Sequence, residues 1–255
     1  MQGPRPFLRL SNQGPGLPNL GPSSVLILPV ISAGNVSQLS ADLLIHTLEL
    51  QRVGVCDPTY HVPVLGSLDG LVDAGVTVPM ELFGSPKDNI YVLQQRSPVL
   101  KDYKEEFVQK LMDMIQSSAF GNVLYLVGSD LSTRTDAQMS SVYYHALSKD
   151  TTKGNISATP LGSIVDLPAF AGGVDAQDAI IPGAGLARRL LSAPGSNPPR
   201  AALVQFVAEG DNIPDAHAMA AMVAKVLKIE TQGWKQPPSW NFGMYGTPHD
   251  HELFG

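Results

Sequence analysis

The sequence predicts a three-layer α/β sandwich built on a mixed, mostly parallel sheet. Short, almost purely apolar runs alternate with stretches of helical period, which is the order of a sheet covered on both faces. The 255 residues suit one large domain, and 44% hydrophobic content is that of a packed globular core.

The elements follow in order. Residues 1–22 are Gly/Pro-rich and unpatterned, so they read as a flexible tail, with a single α/β domain over 23–240. That domain opens with a strand at 25–30. A helix over 35–50 follows, its apolar side made by Leu39, Leu43, Leu44 and Leu48, and its polar side by Gln38, Asp42, His46 and Glu49. Short strands are expected near 53–56 and 62–65. Residues 78–83 and 89–95 flank Gly84-Ser-Pro-Lys-Asp88 and read as a hairpin. Pro98 precedes a strong amphipathic helix with Phe107, Leu111, Met114 and Ile115 facing inward, and residues 122–127 form the next strand. From 128 to about 200 the pattern weakens, apart from a helix at 186–191 after the turn Ile181-Pro-Gly-Ala-Gly185. A buried strand at 201–207 then hands over to a helix carrying Ile213, Ala216, Met219, Ala220 and Val223 on one face.

Between those two elements lies AEGDNIPDAH, residues 208–217, dense in groups that enzymes use. A structural reading accounts for most of it. Asn212 stands at the N-cap, Pro214 in the first turn, and Asp215 where a capping-box acid belongs. His217 falls on the polar face with Lys225 and Lys228 and is expected in water. Glu209 is left without a role. Other candidates are weaker. Gly183-Ala-Gly185 lacks the remainder of a nucleotide-binding fingerprint. Ser129 has no nucleophile elbow around it and no specific spacing to His145. His249-Asp250-His251 supplies too few ligands for a metal. No catalytic residue, metal site or cofactor is therefore expected.

Composition narrows the classes further. A formal charge of −6 argues against nucleic acid as a main partner. The longest apolar run, Val25–Ile31, is too short to cross a bilayer, and no signal-peptide pattern precedes it. The one cysteine, Cys56, rules out an internal disulfide. Asn35 and Asn155 match the glycosylation pattern by chance. A cytoplasmic and nuclear protein is expected.

Four segments carry a resemblance. ILPVISAGNVSQLSADLLI (27–45), IPGAGLA (181–187), VQFVAEGDNIPD (204–215) and GWKQPPSW (233–240) are similar, in order, to the proteasome assembly chaperone 2 family. The middle of the chain, 57–180, is poorly matched. The resemblance implies a sandwich similar to the purine nucleoside phosphorylase-like fold, used without catalysis. It implies a heterodimer with proteasome assembly chaperone 1. That pair would bind α-subunits of the core particle, guide assembly of the α-ring and block premature regulator binding. Residues 241–255 would form an extended docking tail. Its end, Leu253-Phe254-Gly255, resembles the hydrophobic–tyrosine–any motif, with Phe254 in place of the tyrosine. A small-molecule hydrolase or phosphorylase of the same fold is the alternative.

Overall fold

The computed structural model describes residues 6–10, 20–67, 75–85, 89–170 and 180–242. The sheet strands are β1 (Leu8–Leu10), β2 (Val25–Pro29), β3 (Gln51–Cys56), β6 (Met80–Ser85), β7 (Ile90–Gln95), β8 (Asn122–Asp130), β9 (Tyr143–Leu147) and β10 (Arg200–Val207). A separate ribbon pairs β4 (Gly66–Ser67) with β5 (Val76–Thr77). The helices are α1 (Val36–Thr47), α2 (Lys104–Ser117), α3 (Lys153–Ser157), α4 (Gly185–Ser192) and α5 (Ile213–Leu227).

The eight strands lie in the order β1-β3-β6-β7-β2-β8-β10-β9. At the centre β7, β2, β8 and β10 run parallel. The wing β6-β3-β1 and the far strand β9 are antiparallel. Buried parallel strands read as continuous apolar runs because both faces are covered, and β2, VLILP, is buried throughout. Its side chains divide between two cores by the pleat. Leu26 and Leu28 join Phe107, Leu111, Tyr125 and Leu190 under α2 and α4. Val25 and Ile27 join Leu43, Leu124, Met219 and Val223 under α1 and α5. Small residues let α1 and α5 approach: Ser40 Oγ donates to Val36 O and, across the contact, to Ala216 O at 3.1 Å.

Several expectations need correction. Within the expected tail, Leu8–Leu10 is an edge strand on β3, and the Phe7 ring meets Tyr60 and Phe107 at 5.9 Å. Three residues are too few for periodicity to show. The stretch 62–65 is irregular and exposed, beginning after a single bridge from His61 to Val99. Residues Gly162–Asp166 form a 3-10 turn, and β9 has no counterpart in the sequence reading. The polar side of α1 is solvated only toward its end. Gln38 and Asp42 are buried because Gln94 and Arg96 face them from the β7 side, with Gln94 Nε2 donating to Asp42 Oδ1 at 2.7 Å.

Two buried groups bear on chemistry. Burial pushes the Cys56 thiol up to about 12. His61 packs edge-on against Phe107, its ring nitrogens buried without partners, and burial pushes its pKa down to about 4. The fold therefore holds the neutral ring. Below about pH 6.5 the unfolded chain takes up a proton that the native chain refuses. Stability is complete above that pH, falls as pH drops toward 4 and levels off below. The contribution is at most about 3 kcal/mol. Burial lowers His145 in the same direction. Urea unfolding at pH 7.0 and 4.5 checks this: His61→Leu should lose much of the wild-type difference, and an unchanged difference would assign it to other groups.

Candidate functional site at the carboxyl ends of the central strands

In open α/β sheets a ligand crevice forms where the chain reverses its direction of travel across the sheet, outside the carboxyl ends of the strands. Here the chain leaves β2 through α1 toward the β6-β3-β1 wing. It returns from β7 through α2 to β8, on the other side of β2. The switch point is therefore at the end of β2. The segments Val30–Asn35, Asp130–Thr133, Ile181–Gly185 and Ala208–Asn212 converge on that end.

The crevice is filled by the chain itself. Residues Ala33–Asn35 form a short 3-10 turn. The Gly128 amide donates to Ser32 Oγ at 2.8 Å, and Ser32 Oγ donates to Val30 O at the same distance. A Cβ on Gly128 would stand 2.4 Å from the Ala33 carbonyl oxygen, so the turn rests directly on the central strand. Gly34 sits at φ +65, where a side chain would strain the backbone and its Cβ would meet Asn212 Nδ2 at 2.7 Å. From the remaining side Gly183 comes within ordinary contact distance of Ala33. Clefts lie elsewhere. One of about 730 Å³ is at the opposite, amino-terminal edge beside Pro22, Phe120, Thr159 and Pro198. Another, of about 350 Å³, lies between α2 and α4 beside Met112, Arg189 and Pro194.

The AEGDNIPDAH stretch has its own correction. Asn212 does occupy the N-cap position of α5, but its side chain makes no cap. At φ −96, ψ 15 its backbone is outside the extended region from which a cap reaches the helix amides. The side chain is buried instead against Gly34, with Nδ2 donating to Gly210 O at 3.2 Å. Asp211 takes over, its Oδ1 accepting from the Ile213 amide at 3.1 Å. Asp215 forms no capping box; Gln205 Nε2 donates to its Oδ1 and main-chain oxygen at 3.4 and 3.2 Å. Glu209 is exposed on the loop.

The other sequence candidates are dispersed. Ser129 is fully buried with its Oγ unpartnered. It is aligned with Phe206, whereas His145 is aligned with Leu203, and these partners belong to the two different cores. Ser129 and His145 thus face opposite sides of the sheet. His145 Nδ1 is bonded to Leu167 O at 2.8 Å. His217, expected in water, is half-buried, edge-on to Trp234 at 6.5 Å and bonded to Gln236 at 3.1 Å. The same segment reaches α1, where the Lys235 amide donates to Thr47 Oγ1 and its ammonium pairs with Glu49, lowering that carboxyl's pKa. His249–His251 and Leu253, Phe254 and Gly255 lie outside the described residues. Among the described residues no three His, Cys, Asp or Glu side chains gather as a metal site, and no helix is long and apolar enough to cross a membrane.

A cluster the sequence reading missed lies on the wing. Glu81 on β6 is fully buried. Arg52 Nη1 binds its Oε1 at 2.8 Å, Thr77 Oγ1 donates to Oε2, and Arg96 Nε stands 3.7 Å from Oε2. Arg96 also pairs with Asp42 at 3.0 Å. The available signal was one acid inside the apolar run Met80–Phe83. Exposed apolar side chains are scattered: Val62, Val64, Leu65 and Val76 in and before the β4–β5 ribbon, Leu131, Met139, Val142 and Ile180 in the connections after β8, and Leu10 and Tyr103 apart from both.

These features define an α/β sandwich whose strand-end crevice is closed by its own chain. The model of the PAC2 family matches residues 26–227, and the chain belongs to that family. It is 31% identical to proteasome assembly chaperone 2 of Danio rerio over 87% of this chain and 91% of that one. It is 28% identical to the protein of that name from Homo sapiens, over 90% and 94%. In fold it is similar to Pyrococcus furiosus PbaA, an archaeal homolog of proteasome-assembly chaperone, with a TM-score of 0.61, 16% identity and 88% of each chain covered. Pyrococcus furiosus PbaB, an archaeal proteasome activator, gives 0.55, 16% identity, and 88% and 90% coverage.

Because backbone occupies the space beside Gly128, Gly128→Ala should lower stability by about 1–3 kcal/mol in denaturant unfolding, as overpacking does. Asp211→Ala should cost about 0.5–2 kcal/mol as a lost helix-start bond. Should Gly128→Ala melt like the wild type, the turn does not seal the crevice.

Proposed function

We propose that this protein is a proteasome assembly chaperone that works by binding rather than by catalysis. One observation carries the reading. The family match, residues 26–227, spans every loop that closes the strand-end crevice, and in this chain that crevice is filled by backbone rather than left open for a substrate. The finer reading follows the sequence resemblance. The protein pairs with proteasome assembly chaperone 1, and the heterodimer binds α-subunits of the core particle, promotes formation of the α-ring and holds regulators off immature particles. Leu253-Phe254-Gly255 is the docking segment, its two apolar side chains entering a groove on the α-ring.

Affinity purification of the full chain, with identification of what accompanies it, tests the assignment. Chaperone 1 and α-subunits should be recovered, and their absence would sink it. Deleting Leu253 to Gly255 should leave folding and pairing intact. Since burying Leu and Phe contributes roughly 1.5–3 kcal/mol each, core-particle binding should weaken tenfold or more. Undiminished binding by the truncated heterodimer would remove the tail from the mechanism.

A further inference from the structure

The edge of a sheet presents a row of unpaired backbone donors and acceptors, and folded proteins cover such rows. On the wing the cover is β1, three residues paired antiparallel with β3, with Leu8 aligned to Cys56, Arg9 to Val55 and Leu10 to Gly54. Phe7 extends the pairing, its carbonyl accepting from the Asp57 amide at 2.8 Å. The hold is slight. Phe7 and Leu8 are half-buried, Arg9 and Leu10 are exposed, and a strand with few buried contacts opens at low cost.

What β1 covers is built without it. β3 is held along its other edge by β6, from Gln51 opposite Gly84 to Val55 opposite Glu81. The socket of the Phe7 ring is made by Tyr60 and Phe107, each 5.9 Å away. Those two rings stand 6.2 Å apart and have supports of their own. Tyr60 is edge-on to Tyr103, and its hydroxyl donates to Glu106 Oε1 at 3.1 Å. Phe107 meets the His61 ring edge-on at 5.1 Å. Gly54 completes the site. A Cβ there would stand 2.9 Å from Arg9 O, 3.1 Å from Leu8 Cδ1 and 3.5 Å from Leu10 Cδ2, so its three nearest atoms all belong to β1. The glycine thus admits the covering strand, and a side chain there would press on β1 before anything else.

We propose that the β3 edge and its aromatic socket form a binding site for an extended peptide segment, and that Phe7–Leu10 is its built-in occupant, an autoinhibitory strap. Strand addition takes its affinity from the main-chain ladder and selects side chains at alternate positions. The strap itself defines the class of ligand. An aromatic side chain fills the socket, and aliphatic side chains at the first and third positions after it lie beside Gly54. The position between them, where Arg9 is exposed, is unselective. A segment of another protein with this pattern enters when β1 detaches. The assignment does not depend on the chaperone reading.

The test uses the full chain and a labelled peptide copying residues 5–12, RPFLRLSN, with binding followed by fluorescence anisotropy. Phe7→Asp releases the strap, because a carboxylate is costly among aromatic rings. That variant should bind the peptide at least tenfold more tightly than wild type, whose site is occupied. The peptide carrying the same Phe7→Asp change should not bind. Adding Gly54→Ala to the released variant should weaken binding several-fold. A Phe7→Asp chain that melts as a folded protein yet binds no better than wild type would overturn the strap. Binding indifferent to Gly54→Ala would put the peptide elsewhere and overturn the site. Should Phe7→Asp fail to fold, hydrogen exchange on wild type decides. Amides of the β1–β3 ladder should exchange roughly a hundredfold faster, or more, than those between β8 and β10. Equal protection would make β1 a fixed part of the fold and end the proposal.

Discussion

The Ala33 carbonyl lies where a side chain of residue 128 would be, and much of the molecule depends on that contact. It is available only because residue 128 is glycine, the one residue that lets another backbone come so close to a central strand. With the turn seated there, Ser32 and Ser37 satisfy the polar groups around Val30, and Ser37 Oγ reaches its carbonyl at 2.6 Å. The direction in which α1 leaves the sheet is then fixed. That direction brings Ser40 against Ala216 and locks α1 to α5. The same turn holds Asn212 at the other end of the hand-over from β10. One steric constraint thus links the carboxyl ends of three strands and converts a potential binding crevice into a solid part of the core.

Much of this architecture is legible in the sequence, for identifiable reasons. β2, β7, β8 and β10 are apolar on both faces, and α2 has an unbroken helical stripe from Phe107 to Ile115, so pattern alone locates them. The legible parts of the site are positions rather than contacts. Residue 212 is at the helix start, as its neighbours indicate, but its bonding depends on a ψ of 15 that composition does not encode. The role passes to Asp211 because that carboxylate can reach the Ile213 amide from just outside the helix. Glu209 stays without a structural role.

What the sequence hides are interactions between segments far apart in the chain. Asp42 and His46 look equivalent on the polar side of α1. Only the approach of Gln94 and Arg96 distinguishes the buried carboxylate from the half-buried imidazole. His217 appears solvent-facing until residues 234–236 fold back over it. Glu81 is the extreme case. Its surroundings come from β3, from β5 and from the end of β7, up to twenty-nine positions away. A single acid in an apolar strand marks the place without naming the partners.

The buried thiol has a practical chemical consequence. Cys56 is the one cysteine in the chain, and burial keeps it protonated far above neutral pH. A thiolate is the species that reacts with maleimides, disulfides and peroxides. The native protein is thus silent to these reagents, and a cysteine placed on an exposed surface position would react against almost no background. Slow modification of Cys56 itself would count the moments at which the wing opens. The protein carries its own clock for local unfolding.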